Sequence, residues 1–144
     1  MNNDSIIWWT LLFTISCIIC YQDITKRTIS NKFCSVVLFI CIYLVIKSGN
    51  YSSLYYSLII FTGGFVLFIK KIIAAGDVKL ISSFFIAINQ NYQLLTFTII
   101  LLAGGVISIV LLIHKVINKQ NTTMTVPYGV PICIGCLFGI AASL

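Results

Sequence analysis

Six long apolar runs follow one another along this chain with only short polar interruptions, and that succession limits its possible folds more than any other feature. The runs cover residues 6–22, 32–46, 54–69, 72–88, 93–113 and 126–144. Each is near the length an α-helix needs to cross a hydrocarbon core of about 30 Å. The interruptions hold turn and loop residues: KSGNYSS at 47–53, NQNY at 89–92 and HKVINKQNTT at 114–123. The period-2 alternation with regular turns that an outer-membrane barrel would need is missing. With 60% apolar and 8% charged residues and a mean hydropathy of +1.08, the chain lies far from soluble composition, which is about 45–50% apolar and about 25% charged. The expected fold class is an all-α integral membrane protein of about six transmembrane helices, with residues 1–144 as one transmembrane domain. The first run is expected to stay as a helix and not to act as a secretory signal, because Met1 to Ser5 carries Asp4 and no Lys or Arg.

Lys and Arg in short loops stay on the cytoplasmic side, so the basic residues predict orientation. Lys26, Arg27 and Lys32 border the first loop, Lys70, Lys71 and Lys79 the third, and Lys115 and Lys119 the fifth. Only Lys47 falls in an even-numbered loop. Both termini are therefore expected outside (periplasmic), with the odd-numbered loops cytoplasmic. The formal charge of +6 reads as a topology signal first and as an attraction to anionic lipid second. No basic patch is interleaved with exposed aromatics, so nucleic acid is not an expected partner. The bilayer is.

The chain has three acids, Asp4, Asp23 and Asp77. Asp4 reads as part of a solvated tail. Asp23 ends the first run and Asp77 opens the fourth, so the predicted topology sets both at one membrane depth on the cytoplasmic side. A charged Asp deep in a membrane helix costs about 2.5–3.5 kcal/mol on insertion scales, so such residues tend to face a cavity or a partner. The plain reading is a pair of interfacial ion pairs, Asp23 with Lys26 or Arg27 and Asp77 with Lys79. The flanking residues favour another one.

The first acid lies in YQDITKRTISN and the second in AAGDVKL. Asp23, Arg27, Ile29 and Asn31 resemble the D-x-x-x-R-x-I-P-N signature of the type IV prepilin peptidases, and Gly76, Asp77 and Lys79 resemble the G-x-G-D-x-K motif of that family. VPYGVP at 126–131 is similar to the P-Y-G sequence that opens the family's last helix. The likeness is greatest to the short, single-domain branch found with Flp/tad-type pilus systems. Two positions depart from the pattern. Ser30 stands where the family has proline, and Ala74 stands where it has the first glycine, a residue that permits backbone shapes and close approaches that a Cβ blocks.

The resemblance implies a membrane aspartic endopeptidase of the bacterial inner (cytoplasmic) membrane. Asp23 and Asp77 would be catalytic, with Gly76, Lys79, Arg27 and Asn31 in support, and no metal or other cofactor. Its implied substrate is a pilin or pseudopilin precursor, cut on the cytoplasmic side after a glycine that precedes an apolar helix. Two carboxyls held together share a proton in preference to ionising twice, which gives an acid and a base side by side. At i+2 from Asp77, Lys79 is expected to point away from that acid on a regular helix. Arg27, at i+4 from Asp23, is expected to organise the loop. Longer prepilin peptidases carry an additional cytoplasmic region with paired cysteines and also methylate the new amino terminus; methyltransferase activity is not expected here. The competing readings are an inactive relative that binds pilin precursors, motivated by Ala74, and a small proton or ion carrier using the two acids as a relay. Presenilin-like proteases share the G-x-G-D acid, but the match at Asp23 and Arg27 favours the prepilin group.

The remaining features suggest packing. Cys17-x-x-Cys20 and Cys133-x-x-Cys136 have the spacing of a zinc or redox motif, but they fall inside apolar runs on different helices, where different depths are expected for them. Gly63–Gly64 and Gly104–Gly105 are expected to serve helix packing. His114 is expected at a helix end or headgroup, and Trp8 and Trp9 at the membrane interface.

Overall fold

The structure, a computed structural model, describes residues 3–117 and 126–143. Lys119 with the rest of residues 118–125, and the side chains of Asp4 and Lys115, lie outside the described residues, whereas His114 falls in the last turn of α5. All six expected helices are present: α1 (Asn3–Lys26), α2 (Asn31–Ser48), α3 (Ser52–Ile69), α4 (Ala75–Phe85), α5 (Gln90–Ile117) and α6 (Gly129–Ser143). There is no strand among the described residues. The protein is an all-α, multi-pass membrane protein.

Four helices, α1, α2, α3 and α5, are long and apolar enough to cross a membrane. The other two are shorter than their apolar runs. With 11 residues in α4 and 15 in α6, they span about 16 and about 22 Å at 1.5 Å per residue. These short helices sit at the centre. Leu80 and Phe84 of α4 and Cys136 and Ile140 of α6 are fully buried, and they meet Leu12 and Ile19 of α1 and Val37 and Cys41 of α2 in one core. The outer helices α3 and α5 expose Leu58, Phe65, Leu94 and Leu102, as helices that are apolar all round do when lipid is their solvent.

Where a helix ends inside such a bundle, its free carbonyls need donors from the protein, because the hydrocarbon has none. At the end of α4 this need is met by Gln93, whose buried Nε2 donates to the carbonyls of Ile88 (3.1 Å) and Phe85 (3.4 Å). Ser57 Oγ of α3 donates to the Ser82 carbonyl of α4 at 2.7 Å. Trp9 was expected at the membrane interface. Its Nε1 donates to the Leu137 carbonyl of α6 at 3.2 Å, so its polar edge also ties α1 to α6. Gly135 and Gly139 of α6 lie so close to Ile100 and Thr96 of α5 that a Cβ on either would overlap them, a small-xxx-small contact. Of the two expected packing pairs, Gly64 rests on Val78 and Gly104 on Tyr128, whereas Gly63 and Gly105 face open space.

The C-terminal end of α1 and the N-terminal ends of α2, α4 and α6 gather at one end of the bundle. The two acids of interest lie at that end.

Candidate active site

Asp23 lies in the last turn of α1 and Asp77 in the first turn of α4. Both are buried, at 6% and 8% exposure, and both line one cavity of about 330 Å³. They are close enough for the charge of Asp23 to act on Asp77. Asp77 is not held by Lys79, the ion pair that the plain reading suggests for it. Lys79 is turned off the cavity and donates from Nζ to Asn31 Oδ1 at 3.1 Å, the direction its i+2 offset from Asp77 predicts.

The segment between α1 and α2 forms one wall. Arg27, Thr28 and Ile29 line the cavity with the two acids. Arg27 follows directly on α1 in the left-handed region, with φ 53°, and its N–H donates to the Asp23 carbonyl at 3.0 Å, closing the helix in the αL manner usually left to glycine. A non-glycine residue there carries backbone strain of order 1 kcal/mol. Its guanidinium also acts electrostatically on Asp23, so Arg27 serves the acid as well as the loop. Ile29 packs on Gly76, where an added Cβ would stand 3.2 Å from the Ile29 Cβ. The next residue, Ser30, has φ −69° and ψ 131°, inside the range a proline ring imposes.

On the opposite wall, Ala74 precedes α4 with φ −76° and ψ 147°. This is extended backbone open to any residue, so the local conformation does not call for glycine. Ala74 lines the two-acid cavity.

A third element completes the site, and reading the sequence for acids missed it. The N-terminus of α6 sits on Asp23: the Gly129 N–H donates to Asp23 Oδ2 at 2.7 Å. A Cβ at Gly129 would lie 2.7 Å from the same oxygen and 3.1 Å from the Asp23 Cβ. Only glycine admits that approach. The donor is also one of the unpaired N–H groups at a helix start, where an anion is favourably placed. Tyr128 and Val126 line the cavity beside it. The signal was the PYG motif, although sequence alone does not reveal its role.

The cysteines need one correction. Cys20 of α1 and Cys133 of α6 were expected at different depths, yet they meet side by side, because α1 and α6 pack along each other. All six cysteines are free thiols.

The model of the type IV leader peptidase family matches residues 10–113, a stretch that carries both acids with Arg27, Ile29, Asn31, Gly76 and Lys79. The chain belongs to the type IV leader peptidase family. Its match ends before α6, so the Gly129 contact reaches the two-acid cavity from outside the matched stretch. Neither the curated proteins nor the solved structures gave a match. For a leader peptidase, the arrangement offers two carboxyls facing one cavity at the end of a membrane bundle, with one oxygen of Asp23 already held by a backbone donor.

Proposed function

We propose that this leader peptidase is an aspartic endopeptidase with Asp23 and Asp77 as its catalytic pair. The observation that carries the reading is the common cavity, which joins two acids from separate helices in a chain with only three acids. Gly129 holds Oδ2 of Asp23, and the cavity the two acids share has room for the attacking water. In the proposed reaction the ionised member of the pair takes a proton from that water as its oxygen attacks the scissile carbonyl. The protonated member hydrogen-bonds the developing oxyanion, and the proton gained by the pair then passes to the leaving amine. The peptide C–N bond breaks, and the water supplies the new carboxyl oxygen and the amine proton.

The proposed substrate is the precursor of a Flp-type pilin, cut after a glycine at the edge of an apolar helix. The proposed setting is the bacterial inner membrane with the site facing the cytoplasm, on the strength of the basic residues around loops one, three and five. Carrier function is less well supported, because the acids are not staggered through the bundle but gathered at one end of it. The inactive-relative reading loses one of its motives at Ala74, whose extended backbone does not call for glycine.

The test is co-expression of a Flp-type pilin precursor with the native chain, Asp23→Asn or Asp77→Asn, followed by the mass of the product. Leader loss with the native chain and with neither variant is the expected result. An uncut precursor beside a folded, inserted native chain would refute the assignment for that substrate class, and cleavage by either Asn variant would refute the pair.

A further inference from the structure

A second and larger cavity, of about 540 Å³, lies on the face of α4 turned away from Asp77. Helices α2 and α3 both pack on α4 but scarcely on each other, so a groove opens between them with α4 as its floor. Leu38 and Phe39 form one wall and Leu58 and Phe61 the other. The hydroxyls along the groove are engaged with backbone: Ser35 donates to the Asn31 carbonyl, Ser57 to that of Ser82, and Ser82 and Ser83 to that of Lys79. What remains facing the groove is apolar, except at one mouth. There Lys79 gives one of its three N–H groups to Asn31 Oδ1, and no acid lines the groove to pair with it.

Length and charge choose the occupant. From Lys79 to Ile86 the floor is about 10 Å long, which fits within one leaflet, about 15 Å of hydrocarbon. The groove is apolar along that length and carries a cation at one mouth, the complement of an acyl chain below an anionic phosphate headgroup.

We infer that this groove is a lipid site, taking one acyl chain of an anionic phospholipid between α2 and α3 with the phosphate on Lys79. The inference rests on the membrane fold and not on the peptidase reading, so neither stands or falls with the other. It also gives Lys79 a role: the headgroup would be held two residues from Asp77, at the same helix start.

The experiment is native mass spectrometry of the full chain released from micelles holding equal phosphatidylglycerol and phosphatidylcholine with identical acyl chains. The expected result is retention of phosphatidylglycerol at least fivefold over phosphatidylcholine, with the preference lost in Lys79→Gln. Ser35→Trp and Leu58→Trp, at exposed positions on facing walls, should lower retention of both lipids; using two walls guards against a folding defect in one variant. Equal retention by the native chain, a preference that survives Lys79→Gln, or full retention in both Trp variants would each overturn the site. Displacement of the lipid by an apolar helical peptide, blocked by the same Trp variants, would assign the groove to a polypeptide and overturn it too.

Discussion

The backbone N–H of Gly129 donates to Oδ2 of Asp23 at 2.7 Å, across 106 residues of sequence. This bond joins the start of the last helix to the end of the first, and it leaves no room for a side chain at position 129. Gly129→Ala should therefore push Asp23 or α6 aside and lower leader cleavage by about tenfold or more, the scale of a lost charge-assisted hydrogen bond. Gly63→Ala is the control, because nothing lies within 4 Å of its added Cβ. Cleavage rates of the two purified variants test this, and equal rates would remove Gly129 from the site.

Ala74→Gly should leave cleavage within about twofold of the native rate. The backbone at 74 is extended, with φ −76°, and glycine is a better N-cap than alanine by roughly 0.5–1 kcal/mol, a gain in stability that leaves the acids where they are. A rise of tenfold or more would mean that the methyl group obstructs the cavity it lines.

Much of this was legible in the sequence. The apolar runs gave the six helices, since a chain this apolar has few ways to satisfy its backbone, and the spacing of Asp23, Arg27 and Ile29 singled out residues that wall the cavity, whereas Asn31 of the same motif lies off it and accepts from Lys79. The length of α4 was not legible: residues 72–88 read as one largely apolar run, but Ala74 is extended and the helix stops at Phe85, so hydropathy overstates it. Nor was the meeting of Cys20 with Cys133, or of Gly129 with Asp23, because periodicity within a run does not say which distant run packs against it. A glycine in a membrane helix looks the same in sequence whether it faces open space, as Gly63 does, or a carboxylate, as Gly129 does.

Gln93→Leu should destabilise the protein without touching the acids. Its buried Nε2 donates to the Ile88 carbonyl just past α4 and to the Phe85 carbonyl, which the Ile88 N–H also reaches. The variant therefore takes the donor from Ile88, and in an apolar surrounding an unsatisfied group costs about 1–3 kcal/mol. The expected result is a lower unfolding midpoint, followed by size-exclusion chromatography after heating, with residual cleavage at low temperature. An unchanged midpoint would show that the α4 carbonyls find other donors.

Ser30→Pro should act in the opposite direction. The native φ of −69° is one that proline imposes, so the substitution removes freedom from the unfolded chain at little cost to the folded one, a gain of about 0.4–1 kcal/mol. Ser30 also starts α2, where its carbonyl accepts the N–H groups of Phe33 and Cys34, and proline keeps that acceptor. Because Ile29 and Asn31 flank the position, cleavage reports on the cavity wall while the unfolding midpoint reports on the fold. A higher midpoint with native cleavage is the expected pair of results. A lower midpoint would mean that the residue before the proline resists the extended shape the ring demands, and that serine is the better fit to this turn.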